Sequence, residues 1–576
     1  MNVTKKKTIQ SFVFLVIGIV LINVISFRFF KRFDFTEDKR FSISNATKKL
    51  LDSLEGDIYV DVCFDGSASA NYLQLKNAIE ETLDEFKSYY GGRFIYGFSD
   101  PYEYDNDTVR SKIMLEYAQQ GLTRAVAEGE VDGKRTEKLV FPGAFLTFNG
   151  HKEPINFLKR DVNGQKGIEE NFAQSTNEIE FELTHAIKRS SSQRRKVIAF
   201  LDGHGEPKDL LHYPPESLQR GKGLLTDAIS SLSQYYLAGR LNLSTIKELQ
   251  KGGKEGIDML VIDKPTKAFS DEDIYKIDQF VLNGGKVIFL IDPIHLERDS
   301  TGLIGVPYKL NLDNLFRQYG IQLKDKLVDD FYAESFPIQN ANGQTVLHKW
   351  GFNPILSNFN KEHIITKKLN PILGKEVSVL DTVVEMGMKK SPLLFTCQDT
   401  RVAAAEIFSY NVNELRFDKE ESFYKSGPQT VAYLVEGEAK SVYTNRPKPK
   451  GVTTTNFVKT SKNAQVVVIA DGDMITNIMD PRASYEMGFY AQKGLVYANK
   501  SFFMNIVNYL LNEQGIVTLK AKEVKPRPLD GYAIDQTAEQ RKWQFINLVV
   551  PVMLVIVFGF LWSLLRKRKY TKAIQG

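Results

Sequence analysis

Two uncharged apolar segments, one near each end of the chain, constrain this sequence more than anything between them. From Thr8 to Phe27 there is no charged residue, and most positions are Phe, Val, Leu or Ile. A second such segment runs from Gln544 to Leu565. Each has about the 20 residues that a helix needs to cross a hydrocarbon core roughly 30 Å thick. The first ends in Asn23-Val-Ile-Ser-Phe-Arg-Phe-Phe30, without the small residues that precede a signal-peptide cut and with no cysteine nearby to carry a lipid. It reads as an uncleaved signal anchor. The second has Trp543 and Trp562 near its ends, where indoles favour the interface, and a tolerable Pro551 inside.

Flanking charge orients them. Arg566, Lys567, Arg568, Lys569 and Lys572 follow the second segment, against Arg541 and Lys542 before it, which places its C-terminal end in the cytoplasm. The first is undecided alone, because Lys5, Lys6 and Lys7 face Arg28, Lys31 and Arg32 across it. Two crossings return the chain to its starting side. The expectation is a two-pass protein of the cytoplasmic (inner) membrane, both termini cytoplasmic and residues from about 28 to 542 periplasmic.

The same tails account for the net charge of +5, since together they carry eight positive charges and leave about −3 elsewhere. Nothing in that distribution suggests nucleic-acid binding. Cys63 and Cys397 are the two cysteines of the chain, too few for a disulfide framework or a structural zinc site, and two separate thiols are expected rather than a bridge.

At 576 residues the chain exceeds a single core. The spacing predicts a linker and short helix over 31–56, with Ser44 capping Asn45 to Leu54. It then predicts an α/β domain over 57–192, with strands at Asp57 to Phe64 and Arg93 to Phe98, and helices at Asn71 to Tyr90, Asp107 to Gln119 and Ile168 to Arg189. A hairpin of Leu139 to Phe148 and Pro154 to Leu158 turns at Asn149-Gly150. That βαβα-ββα order is thioredoxin-like, but no Cys-x-x-Cys pair accompanies it. A second, doubly wound α/β domain is expected over 193–515. Its strands are Lys196 to Leu201, Ile257 to Ile262, Lys286 to Ile291 and Ala464 to Ala470. Its helices are Leu224 to Tyr235, Asp271 to Leu282 (capped by Ser270 with Asp273), Asn311 to Tyr319 and Ser501 to Leu511. A mixed region is inserted at about 330–460, with strands at Ser391 to Thr396 and Thr430 to Glu436 and an extended loop at Arg446-Pro-Lys-Pro-Lys450. Residues 516–542 form a linker. The membrane segments are 1–30 and 543–566, and 567–576 is a basic tail.

Catalytic patterns are sparse. Gly221-Lys222-Gly223 and Gly252-Gly253-Lys254 lack the spacing of a phosphate-binding loop and follow no strand, so no nucleotide site is expected. Neither cysteine has the glycine neighbours of a nucleophile elbow. Asp471-Gly472-Asp473 is a turn or a cation contact without the ligand series of a calcium loop.

The most suggestive stretch is Asp202-Gly203-His204-Gly205-Glu206, at the end of a buried strand where open α/β sheets place their sites. His204 and Glu206 have the chemistry to hold a metal or shuttle protons. Equally, the glycines suit a tight strand-to-helix turn with His204 bonded to backbone. With Asp292 these are the candidate ligand or partner contacts; no catalytic residue, metal ligand or cofactor is expected. A membrane-anchored hydrolase or metal-dependent enzyme centred on His204 and Glu206, and a solute receptor beside Asp202 and Asp292, stand as alternatives to a non-catalytic role.

The chain resembles the gliding-motility-associated ABC-transporter substrate-binding (auxiliary) proteins of Bacteroidota, a Gld family. The resemblance rests on Asp34-Phe-Thr-Glu-Asp-Lys-Arg-Phe-Ser-Ile-Ser44, Ile198-Ala-Phe-Leu-Asp-Gly-His-Gly-Glu206 and Ile257-Asp-Met-Leu-Val-Ile-Asp-Lys-Pro-Thr266. It also rests on Asp278-Gln-Phe-Val-Leu-Asn-Gly-Gly-Lys-Val-Ile-Phe-Leu-Ile-Asp292 and on the terminal helices. It implies a non-catalytic accessory subunit that partners an ABC ATPase and a multi-spanning permease, with a periplasmic or surface-protein component as a further contact. It further implies a role in gliding motility and surface-protein export. The central region would be similar to a domain of intraflagellar-transport proteins and, distantly, to glutamine amidotransferases, whose nucleophile elbow this sequence lacks.

Overall fold

A computed structural model describes residues 12–14, 16–18, 42–66, 69–131, 134–159, 168–192, 194–214, 224–253, 256–298, 303–339, 344–383, 388–404, 423–452, 456–480, 483–511 and 537–571. Most of the first apolar segment, the stretch 34–41, the Gly221-Lys222-Gly223 stretch, the 516–536 linker and residues 572–576 lie outside that set. Residues 12–14 and 16–18 are helical.

The N-terminal part begins with α1 (Asn45–Asp52), whose N-cap Ser44 accepts the Thr47 amide through its hydroxyl at 3.1 Å. Strand β1 (Ile58–Val62) points Ile58, Val60 and Val62 inward, and α2 (Ala70–Tyr89) lays Leu75, Ile79, Leu83 and Phe86 over it. Then come β2 (Phe94–Phe98), α3 (Asp107–Gln119), a hairpin of β3 (Ala125–Val131) and β4 (Lys134–Val140), β5 (Gly143–Phe148) and β6 (His151–Asn156). The sheet order is β2-β1-β5-β6, with β1 and β2 parallel and the rest antiparallel. Asn149 and Gly150 turn between β5 and β6 with φ of 49° and 81°, the left-handed pair that a two-residue hairpin needs.

Two departures from expectation occur here. The single strand expected over Leu139 to Phe148 is divided: Leu139 and Val140 end β4, which pairs with β3, and β5 starts at Gly143. The helix expected over 168–189 is split into α4 (Ile168–Asn177) and α5 (Ile179–Ser191). The α5 helix serves two cores: Ile179, Leu183, Ala186 and Ile187 pack on the first sheet, while Phe181 joins the next core.

That next core surrounds an eight-stranded sheet. Its parallel part comprises β7 (Val197–Asp202), β8 (Leu237–Asn242), β9 (Met259–Asp263) and β10 (Lys286–Leu290). Helix α6 (Thr226–Ser233) links β7 to β8, and α7 (Asp271–Leu282) links β9 to β10. Beyond β10 lie β11 (Ile294–Arg298), β12 (Leu303–Pro307), α8 (Asp313–Gln318), β13 (Ile321–Asp330), β14 (Ala333–Gln339), β15 (Thr345–Leu356), β16 (Asn358–Phe359), β17 (Ile372–Leu373), β18 (Ser378–Thr382), β19 (Met388–Phe395), β20 (Thr400–Ala404), β21 (Thr430–Lys440), β22 (Thr460–Ile469) and α9 (Asn499–Leu510). The sheet order is β16-β19-β21-β22-β10-β9-β7-β8, with β22 parallel to β10 and β21, β19 and β16 antiparallel.

Alternation along the strands builds one core on each face. Ile198, Phe200, Met259, Val261, Ile288, Leu290, Val467 and Ile469 pack against α6 and α9. Leu201, Ile262, Phe289 and Val468 pack against α7 and α8. The inserted region is therefore no separate lobe throughout: β19 and β21 extend the central sheet, while β13, β18 and β20 form a smaller sheet. Strand β8, which follows the α6 turn directly, was not expected.

The chain divides into two units, residues 1–522 and 523–576. Within the second, α10 (Thr537–Thr571) carries the 22-residue apolar stretch Gln544–Leu565, none of it buried.

The candidate functional site at the mouth of the central sheet

From β7 the chain crosses by α6 to β8 on one side, and from β9 it crosses by α7, over the opposite face, to β10 on the other. Adjacent strands whose connections diverge leave a crevice at their carboxyl ends, the usual ligand position in open α/β sheets. Residues 202–206 enter that crevice from β7, Asp263 and Lys264 from β9, Asp292 from β10, and residues 471–473 from β22.

The β7 loop is folded tightly onto its neighbours. Gly203 and Gly205 hold φ of 119° and 88°, and a Cβ at Gly205 would collide with the Thr266 hydroxyl. The His204 carbonyl accepts the Thr266 and Lys267 amides at 2.8 and 2.9 Å. Its imidazole stacks on Phe269 with centroids 4.1 Å apart. One ring nitrogen lies 3.3 Å from Asp273 Oδ2, and the other 3.6 Å from Glu206 Oε1. Glu206 Oε2 accepts the His204 amide at 2.7 Å. Burial alone pulls the imidazole pKa down; the neighbouring Asp273 and Glu206 carboxylates outweigh it and raise it to about 9. Asp273 also closes the Ser270 capping box of α7, so one carboxylate fastens the helix start and the histidine together. Asp202 accepts the Tyr213 hydroxyl at 2.6 Å.

Asp292 belongs to a second group, of which the sequence reading singled out only Asp292 itself and Asp471-Gly472-Asp473. Lys264 Nζ lies 3.0 Å from Asp292 Oδ2 and also bonds Asp473. Lys375 Nζ lies 3.1 Å from Asp473 Oδ2. Asp471 accepts the Lys375 and Asp473 amides at 3.0 and 2.8 Å, and the Gly472 amide donates to Asp292. A Cβ at Gly472 would press on Lys264 and Asp292, so a glycine keeps that approach open. Lys264 and Glu376 adopt φ of 46° and 52°, uncommon for residues with side chains. Burial raises the Asp292, Asp471 and Glu376 carboxyls, whereas Lys375 and Lys264 overcome burial at Asp473 and lower it to about 2. The recurrent signal was available: four apolar strands each lead into an aspartate.

Among the described residues no three or more His, Cys, Asp or Glu side chains are grouped to hold a metal. Both cysteines are free; burial pushes the Cys63 thiol up to about 12 and Cys397 to about 11, which leaves both protonated and unreactive at neutral pH.

Residues 195–506, which include the whole central sheet and every mouth residue, match the family described as an ABC-type uncharacterized transport system. The chain belongs to that family. This family member is thus an auxiliary protein of an ABC transport system. Residues 37–147 match a domain of unknown function. An uncharacterized protein of Borreliella burgdorferi is 21% identical over 585 residues, covering 99% of this chain and 98% of that protein. An N-terminal domain titled mmIFT52 aligns over 54% of this chain and 96% of its own, at 10% identity and a TM-score of 0.30, too distant to carry an argument. In this family member the charged groups at the mouth chiefly engage one another, and His204 is held on three sides.

Proposed function

We propose that this protein is a non-catalytic accessory subunit of an ABC transporter, partnering an ATPase and a multi-spanning permease. The observation that carries the reading is the family match across the whole central sheet. Two features support it. The Gln544–Leu565 helix is uncovered and has the length and composition of a membrane span. His204, the one imidazole at the mouth, is stacked on Phe269 and engaged by two carboxylates, an arrangement suited to holding a loop rather than to reacting.

The finer reading is a two-pass inner-membrane protein with a periplasmic body, built from a thioredoxin-like unit and an amidotransferase-like unit. The basic cluster after Leu565 supports that orientation, and the strand order β2-β1-β5-β6 suits the thioredoxin-like unit. The resemblance to the gliding-motility-associated Gld proteins supports a role in gliding motility and surface-protein export, with a substrate-binding-like body.

Membrane-impermeant thiol labelling of single cysteines tests the orientation. A cysteine in the body should label in intact cells whose outer barrier is permeabilised, and one beyond Lys569 should not. The reverse pattern defeats the periplasmic reading. A receptor for a small solute is a second reading, favoured by the buried Asp263, whose carboxylate has no hydrogen-bond partner among the described residues.

A further inference from the structure

The register of the central sheet sets its terminal aspartates in two neighbouring pairs. Phe200 pairs with Val261, which sets Asp202 beside Asp263; Leu290 pairs with Ile469, which sets Asp292 beside Asp471. All four share the parity of Phe200, Val261, Leu290 and Ile469, so they stand on the face that packs against α6 and α9. Asp263 itself pairs with Leu290, so Asp292 and Asp471 stand two residues further along the strand direction than Asp202 and Asp263.

Asp263 is 1% exposed, and among the described residues neither of its carboxylate oxygens has a hydrogen-bond partner. A buried carboxyl without a partner is costly to fold around. Its electrostatic neighbours are Asp473, Lys264, Asp292 and Arg240, which places it inside the cluster. The other carboxylates show which chemistry the mouth accepts, because Asp292 and Asp473 are bridged by one lysine ammonium and Asp473 holds a second. Asp263, Asp292, Glu376, Asp471 and Asp473 outnumber the ammonium groups of Lys264 and Lys375. The Lys375 side chain is 50% exposed and that of Lys264 is 23%, so the lysines mark the open side of the cluster.

We propose that this mouth is a binding site for a small alkylammonium ligand, whose cationic group enters past Lys264 and Lys375 and pairs with Asp263. An organic cation is favoured over a metal ion because the described carboxylates are not grouped as metal ligands. The site does not depend on the accessory-subunit reading, since binding is read on the purified chain alone.

Burial holds the Asp263 carboxyl well above the usual range, which favours its protonated form where no cation is paired with it. Pairing with an ammonium expels that proton, and binding is therefore linked to pH. The test is titration calorimetry on the full-length protein in detergent with 1,4-diaminobutane, using 1,4-butanediol and magnesium chloride as comparisons. Saturable binding of the diamine is expected, with none of the diol. Affinity should tighten by up to about tenfold per pH unit where the proton leaves, with matching proton release between buffers of different ionisation enthalpy. Asp263→Asn keeps the shape and removes the charge, and should weaken binding by at least about tenfold. Should that variant not fold, the wild-type proton release carries the test. No saturable diamine binding, equal binding of the diol, binding without proton release, an unchanged constant in a folded Asp263→Asn, or magnesium taking the same site would each overturn the proposal.

Discussion

His204 shows how a residue with catalytic chemistry is held by its neighbours. Its folded pKa of about 9 lies above the ordinary value of 6.5, so the charged imidazole favours the native state. That contribution is complete below about pH 6.5 and is lost as pH rises through about 9. Chemical denaturation from pH 6 to pH 9.5 should show stability falling across that window, and His204→Gln should flatten this part of the profile. Gly205 makes a steric demand on the same loop: its φ of 88° and the Thr266 hydroxyl leave no room for a side chain. Gly205→Ala should cost on the order of 2–3 kcal/mol, read as a lowered denaturation midpoint. The glycines and the histidine were legible as a tight turn at a strand end. Asp263 was not, because an aspartate closing a strand looks like any turn residue until register shows which face it shares with Asp202 and Asp292.

At the scale of elements, local signals were legible and long-range pairings were not. Helix α7 spans the residues that its pattern and Ser270–Asp273 cap predicted, since both signals lie within one turn. Ser270→Ala should cost about 1 kcal/mol in a denaturant titration, and pairing it with Asp273→Ala should be non-additive because the two side chains share their contacts. Strand β8 escaped notice because Leu237-Ala-Gly-Arg-Leu-Asn242 is an edge strand, half exposed along its length, without alternation. The inserted region was hard to read for another reason: β21 pairs with β22 and β19, while β20, which lies between β19 and β21 in the chain, belongs to a different sheet. Helix α5 joins the two cores through Phe181 on one side and Leu183 and Ile187 on the other. Tyr235 and Lys159 both bond Glu182 at this joint, and Arg189 and Arg195 both pair with Glu153. Phe181→Ala should cost about 3–4 kcal/mol and, if the joint is stiff, lower the unfolding of both cores together in one calorimetric transition.

For the whole molecule, the α/β class was legible from the apolar runs, and the C-terminal apolar helix is present as expected. The corresponding N-terminal segment lies largely outside the described residues, so the two-pass arrangement rests on sequence charge. The family match places the central sheet in an ABC transport system, and the proposal adds an anchored body with a charged mouth. Its central claim is association with a transporter. The most direct measurement is affinity purification of the full-length protein from native membranes in a mild detergent, followed by mass spectrometry. An ABC ATPase and a multi-spanning permease should co-purify in fixed proportion, and replacing Gln544–Leu565 with an unrelated apolar helix should reduce their recovery. A protein recovered without any ABC component under those conditions would contradict the account.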